Sequence, residues 1–193
     1  MRITGGVLGG RRLATLSGRR TRPTSDRVRQ ALFNILGDRV VDAVVLDLFA
    51  GTGAFAFEAI SRGAQRAVLV EKDRRAVAVI RDNAKQLDVE EHVVMKSFDL
   101  LQPGGRLAEL DGPFDVIFID PPYRLAGEVV AGSPMGELLE ALFAGNVVGH
   151  PGGCVVLEHD RRATVAEDWT RFRLDDRRTY GDTDLSFLVR KEP

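Results

Sequence analysis

A chain of 193 residues, 44% hydrophobic and 28% charged, has the composition of an ordinary soluble domain and is long enough to bury a core without cross-links. Cys154, the only cysteine, excludes an intrachain disulfide and a cysteine-rich metal site, and its setting in Gly152-Gly153-Cys154-Val155-Val156-Leu157 predicts a buried, inert thiol on a strand. No apolar run approaches the ~20 residues that span a bilayer, and glycines and arginines stand where a signal peptide needs an apolar stretch, so a cytoplasmic protein is expected.

The net charge of -1 hides an asymmetry. Residues 1–30 carry eight arginines against one acid, Asp26, a local +7 that leaves -8 on the remaining 163 residues. A basic segment of this kind joined to an acidic body predicts contact with phosphates.

In chain order, residues 1–23 are rich in Gly, Arg, Thr and Ser, with turn signals at Gly5-Gly6 and Gly9-Gly10, and read as irregular or as a small β-hairpin. Thr24 or Ser25 can cap a helix whose apolar face is Val28, Ala31, Leu32 and Ile35, and Gly37 ends it. The pattern then changes to strands alternating with helices. Val44 to Leu48 is a buried central strand, and a helix runs from about Ala54 to Arg62. Ala67 to Val70 is a second strand. Asp73 caps the helix through Ala76, Val79, Ile80 and Leu87, and Val93 to Met95 is a third strand. Phe114 to Ile119 is a fourth strand, followed by a helix near Met135–Phe143 and the strand Cys154 to Glu158. Thr170 to Thr179 and Leu185 to Arg190 flank Tyr180-Gly181-Asp182 as a terminal hairpin. The alternation predicts a parallel α/β sheet, with an antiparallel edge from that hairpin. Residues 1–40 read as a basic extension (arm or hairpin plus helix) and 41–193 as the catalytic domain.

Ligands of open α/β sheets bind beyond the carboxyl ends of the strands. Asp47-Leu48-Phe49-Ala50-Gly51-Thr52-Gly53 lies there, and Glu71 closes the next strand 18 residues beyond Gly53, placed to accept from the hydroxyls of a ribose. Gly51-x-Gly53-x-x-Ala56 also satisfies a dinucleotide fingerprint. Asp47 would repel a pyrophosphate and welcome a cationic methionine moiety, and Asp99 offers an acceptor for an adenine amino group. The acidic crevice therefore favours S-adenosylmethionine, leaving S-adenosylhomocysteine as product.

Asp120-Pro121-Pro122-Tyr123 follows the fourth strand. Two prolines fix φ twice and remove two N–H donors. The nearby carbonyls, kept out of a local helix, would face a ligand beside the Asp120 carboxylate. Such an acceptor-only pocket suits an –NH₂ group, which has two donors. Tyr123 can stack on a base turned out of its helix. No metal or nucleophilic triad is required by this chemistry.

Several segments carry a resemblance over nearly the whole length: Arg2 to Gly6 with Gly10-Arg11-Arg12-Leu13, Arg22 to Leu36, Asp47 to Gly53, and Asp120 to Tyr123. Together they resemble the bacterial 16S ribosomal RNA guanine-N2 methyltransferases that modify guanine 966. That resemblance implies a Rossmann-like S-adenosylmethionine methyltransferase fold: a mostly parallel seven-stranded sheet, an antiparallel C-terminal hairpin and a small basic N-terminal extension. It also implies transfer to guanine N2 on an assembled or nearly assembled 30S subunit. A monomer is expected, with no metal and no membrane partner. By position, Asp47, Phe49, Gly51, Gly53, Glu71 and Asp99, with Asp120, would hold the cofactor, and Asp120, Pro121, Pro122 and Tyr123 the base. Arg11, Arg12, Arg19, Arg20 and Arg22 would contact RNA, with Arg27 and Arg29 as candidates for pairing with core acids. An adenine-N6 DNA methyltransferase shares the tetrapeptide but usually carries a target-recognition region. A protein-glutamine methyltransferase would show Asn at position 120, and a non-catalytic RNA-binding relative would have lost the glycine loop or Asp120.

Overall fold

The computed structural model describes residues 1–16, 25–102, 106–145, 147–149 and 152–191. These fall into two compact units, Met1–Asp99 and Leu100–Pro193.

The first unit opens with a small hairpin. Ile3 N donates to the Arg11 carbonyl at 3.0 Å, Leu13 N to the Met1 carbonyl at 3.1 Å, and Arg2 and Arg12 form an antiparallel bridge. Its turn depends on Gly6, whose φ is +74 and where a Cβ would come within 1.8 Å of the Ser61 carbonyl oxygen. Helix α1 (Asp26–Leu36) starts at Ser25, which accepts from Val28 N, and stops at Gly37 with φ 52. Its buried face is Val28, Arg29, Leu32, Phe33 and Leu36, whereas Ile35 is 38% exposed. The apolar stripe expected through Ala31 and Ile35 is thus rotated, because Arg29 turns inward to meet a buried acid on the next helix.

Strands β1 (Val44–Leu48), β2 (Arg66–Val70) and β3 (Val93–Lys96) are parallel in the order β3-β2-β1. Leu46, Leu48 and Leu69 are fully buried, each contributing about 1.5–3 kcal/mol of apolar burial. Helices α2 (Ala54–Ser61) and α3 (Arg74–Leu87) make the crossovers, and Asp73 caps α3 by accepting from Arg75 N at 2.8 Å. The register pairs Leu48 with Val70 and Val70 with Lys96. The three strands therefore end together, and the residues after them emerge at one edge.

The second unit contains β4 (Val116–Ile119), α4 (Tyr123–Ala126), β5 (Glu128–Val129) and α5 (Pro134–Ala144), then β6 (Cys154–Asp160), β7 (Thr164–Val165), β8 (Phe172–Tyr180) and β9 (Thr183–Arg190). Its main strands run β4-β6-β9-β8, with β6 parallel to β4 and β9 antiparallel to both β6 and β8. Phe114, expected to begin the fourth strand, makes only an isolated bridge to Val148. Phe143 stacks on Phe172 at 4.4 Å and Phe172 on Trp169 at 4.8 Å, fastening α5 to the start of β8. Cys154 is a buried thiol on β6. The seven main strands, mostly parallel with an antiparallel C-terminal hairpin, are those the sequence led us to expect. The small parallel pair β5-β7 was not anticipated, since two residues per strand are too few to show a periodicity.

Candidate active site

At the carboxyl end of β1 the chain turns through three left-handed residues, Phe49 (φ 61), Gly51 (φ 56) and Gly53 (φ 80). Such a φ is unusual for a phenylalanine and marks a constrained loop. Gly53 N donates to the Ala50 carbonyl at 2.7 Å, closing the turn from which α2 starts. A Cβ at Gly51 would meet nothing nearer than the Phe49 carbonyl oxygen, 4.0 Å away, so this side of the loop has room for a ligand to approach the backbone.

Two carboxylates brace that turn. Asp47, 1% exposed, accepts from Ala56 N in the first turn of α2 at 3.2 Å. Glu71, half-exposed, accepts from Gly51 N at 2.9 Å and from Asp73 N at 2.8 Å. These contacts bear on the ligand. A dinucleotide pyrophosphate binds through the N–H groups of a glycine loop and of a helix N-terminus. Here carboxylates already claim Gly51 N–H and Ala56 N–H, and a phosphate in their place would face negative charge. The crevice suits a ligand without phosphates and with a positive centre. Asp99, a further acid at this edge, is held by Lys72 Nζ at 2.9 Å.

At the carboxyl end of β4, Asp120 is half-exposed and Pro121 buried. Pro122 caps α4, and its carbonyl accepts from Leu125 N at 2.8 Å. This corrects the expectation that every carbonyl around the prolines faces a ligand, because one turn of helix forms directly after them and takes that one. The Pro121 carbonyl makes no hydrogen bond among the described residues. Tyr123 opens α4, and its side chain lies outside what is described.

The arginines near the start of the chain divide by role. Arg29 is fully buried, its Nε 3.3 Å from Glu58 Oε2 and an Nη 3.0 Å from Asp26. Arg11 donates to the Leu87 carbonyl at 3.2 Å and to the Gln86 carbonyl, capping the end of α3. Arg12 and Arg27 are exposed. Arg19, Arg20 and Arg22 lie outside the described residues.

Two supporting residues escaped the sequence reading. Glu58, fully buried on α2, accepts from Thr4 N and Thr4 Oγ1, each at 2.7 Å, and from Arg62 Nε at 2.8 Å as well as Arg29. Burial opposes its charge, but the Thr4 hydrogen bonds and the two guanidinium groups outweigh that and lower its pKa. Asn83, fully buried on α3, donates to the Thr52 carbonyl at 3.2 Å and accepts from Ala14 N at 2.7 Å, tying the glycine loop to the N-terminal segment. Both had a signal: a lone carboxylate in the apolar helix sequence Ala54 to Ser61, and an asparagine in the buried stripe Ala76, Ile80, Asn83, Leu87.

A family model described as conserved hypothetical protein 95 matches residues 1–189. Ribosomal RNA small subunit methyltransferase D of Haemophilus influenzae is 31% identical over 177 residues, covering 88% of this chain and 85% of the relative. The chain belongs to this bacterial family of ribosomal RNA small subunit methyltransferases. Among solved structures of this fold, a hypothetical protein of Thermus thermophilus superposes with a TM-score of 0.75 at 33% identity, covering 99% of both chains. An RNA methyltransferase of Salinibacter ruber, solved with S-adenosyl-L-homocysteine, matches in fold alone, with a TM-score of 0.62 at 22% identity over 89% of this chain and 95% of that one. The fold is the Rossmann-like fold of S-adenosylmethionine-dependent methyltransferases. The residues around Gly51 fit that cofactor, by the room beside the glycine and by the acids that already occupy the loop's donors. Among the described residues no helix is long and apolar enough to cross a membrane, and no His, Cys, Asp and Glu side chains gather as a metal site would need.

Proposed function

We propose that this protein transfers the methyl group of S-adenosylmethionine to the exocyclic N2 of a guanine in 16S ribosomal RNA, on an assembled or nearly assembled 30S subunit. Membership of the family supports ribosomal RNA as the substrate class. The observation that carries the reading is the end of β4. There a half-exposed carboxylate adjoins a carbonyl with no hydrogen-bond partner among the described residues, and two prolines supply no N–H.

The lone pair of a base amine is delocalised into its ring, which makes the nitrogen a poor nucleophile. Asp120 and the Pro121 carbonyl would each accept one N–H, favouring a pyramidal nitrogen whose lone pair is aimed at an electrophilic carbon. The same acceptors would stabilise positive charge as it develops on nitrogen while the methyl–sulfur bond breaks, and the N–H proton displaced by the methyl group would pass to Asp120 or to solvent. Alignment of the two reactants supplies much of the remaining rate. When bound, the cofactor provides that carbon as a methyl group on a positively charged sulfur. We assign Asp47, Phe49, Gly51, Gly53, Glu71 and Asp99 to holding it, Pro122 to fixing the turn, and Tyr123 to stacking on the base. The basic extension, residues 1–40, is assigned to RNA, with Arg12 the expected phosphate contact among its described arginines and Arg11 held mainly by α3.

Methyl transfer to unmodified 30S subunits, naked 16S RNA and DNA in parallel, with the product nucleoside identified by mass spectrometry, tests the reading. N2-methylguanine from the 30S reaction is the expected product. Methyladenine, or transfer to DNA alone, would overturn it.

A further inference from the structure

The second unit carries nine arginines, and they separate into two groups. Five are held by partners. Arg106 pairs with Glu109, Arg171 with Glu140, Arg173 with Asp175 and Arg178 with Asp176, while Arg190 donates to the carbonyls of Phe143 and Gly145. The guanidinium groups of the other four, Arg124, Arg161, Arg162 and Arg177, have no ion pair or hydrogen bond among the described residues. Arg177 is half-buried, but Arg124, Arg161 and Arg162 are exposed.

Topology brings those three exposed arginines to one place. Arg124 lies on α4, immediately after the tetrapeptide that ends β4. Arg161 and Arg162 directly follow β6, which is parallel to β4 with Ile119 opposite Leu157, so both segments leave the sheet at its carboxyl end. Past that edge, β5 and β7 pair in parallel, Glu128 opposite Thr164, and Thr164 N donates to the Gly127 carbonyl at 3.1 Å. A parallel pair puts the residues preceding each strand at the same end. The chain before β5 holds Arg124, and the chain before β7 holds Arg161 and Arg162.

The backbone under them is fixed. Arg161 N donates to the Asp182 carbonyl at 2.9 Å, and Asp160 accepts from Arg162 N at 2.8 Å and, through its carbonyl, from Ala163 N at 2.9 Å. Asp160 therefore meets the Arg162 backbone and not its guanidinium. Exposed arginines elsewhere in this unit have found carboxylates. Three that have none among the described residues, on a rigid turn and a short helix beside an acceptor-only pocket, are poised for an anionic partner from outside.

We propose that Arg124, Arg161 and Arg162 form a second phosphate-binding surface, which grips the RNA backbone next to the base held by Asp120 and Pro121. It uses residues other than those of the arginine-rich extension and rests on the function proposed above. Phosphate contacts position a nucleic acid without reading its sequence. This surface would hold the flanking nucleotides once the target base is turned out, and it explains how an acidic body grips RNA at the reaction site.

The experiment compares wild type with Arg124→Gln, with the double variant Arg161→Gln/Arg162→Gln, and with the double variant Arg171→Gln/Arg173→Gln as a control on paired arginines. Affinity for naked 16S RNA is measured across a salt series, alongside steady-state methylation of 30S subunits and calorimetric affinity for S-adenosylmethionine. Each lost phosphate contact lowers the steepness of log K against log salt by about 0.7–0.9. A drop of about 1.5 in the Arg161/Arg162 variant, a KM for 30S raised about tenfold, kcat and cofactor affinity within twofold, and an unchanged control support the surface. An unchanged slope in the Arg124 and Arg161/Arg162 variants overturns it. Loss of affinity for 30S with none for naked RNA also overturns it and points to an acidic ribosomal protein. A wild type that binds RNA but methylates neither 30S nor RNA would instead fail the proposed function, because the salt slope is read without catalysis.

Discussion

Two strand ends use oxygen acceptors in opposite ways. After β1, in the first unit, Asp47 and Glu71 spend acceptor capacity on backbone N–H groups and so build the glycine loop. After β4, in the second unit, the prolines remove N–H groups, and the Pro121 carbonyl is left without a donor among the described residues. Satisfied acceptors make a rigid support, whereas one with no donor among the described residues, beside a half-exposed carboxylate, makes a place for a ligand that brings its own donors. The first arrangement shapes a site, and the second waits for one substrate group.

Mutations can break this comparison at either end. Asp120→Ala should show the largest effect: a fall in kcat of about 10³-fold, in the range for removing one electrostatic stabiliser, with cofactor affinity nearly unchanged by calorimetry. A large loss of cofactor affinity would mean that Asp120 supports the cofactor, as Glu71 is expected to. Next, Glu58→Ala should destabilise the protein by about 3–5 kcal/mol in urea denaturation, because buried Arg29 would lose its compensating charge. A change under about 1 kcal/mol would show that Asp26 and the Arg2 carbonyl suffice for Arg29.

Glu71→Gln should weaken cofactor binding by about 10- to 100-fold, the cost of about 1.5–3 kcal/mol for losing hydrogen bonds to a charged acceptor. At saturating cofactor, kcat should recover, and failure to recover would erase the distinction between the two strand ends.

The smallest effect expected is on pH dependence, and here too the units differ. His159, buried on β6, has its pKa lowered below the usual 6.5, chiefly by burial. Its Nδ1 donates to the Asp160 carbonyl at 2.9 Å, which leaves Nε2 to accept from Ser186 Oγ at 2.8 Å in the neutral ring. A lowered folded pKa means that the neutral form is favoured on folding, so this contribution is complete above about 6.5 and is lost as pH falls. Glu58 follows the same sign at lower pH: its contribution is complete above about 4.5 and is lost as pH falls through its lowered folded pKa. His159→Asn should flatten the stability–pH curve just below 6.5, and Glu58→Gln below 4.5. Stability measured by denaturation between pH 3 and 8 (roughly the range over which these groups titrate) checks both slopes.

The sequence alone determined the order of the seven main strands and the long helices, the cap at Asp73, a capping residue at Thr24 or Ser25, the glycine turn after β1 and the tetrapeptide after β4, because each is written in residues close along the chain. Hydrophobic period, capping side chains and proline geometry are local properties, and local properties survive without a fold. Only the tertiary structure decided which polar groups satisfy one another. It turned Arg29 inward to Glu58, spent Arg11 on the end of α3, set Glu71 on Gly51 N and took the Pro122 carbonyl into α4. It also left Arg124, Arg161 and Arg162 without an acid among the described residues. Those outcomes depend on partners as much as 76 positions apart, such as Arg11 and Leu87, and no local pattern encodes them. An arginine-rich stretch looks alike whether its charges are buried in the core or offered to RNA. The difference is made by where the fold puts the acids.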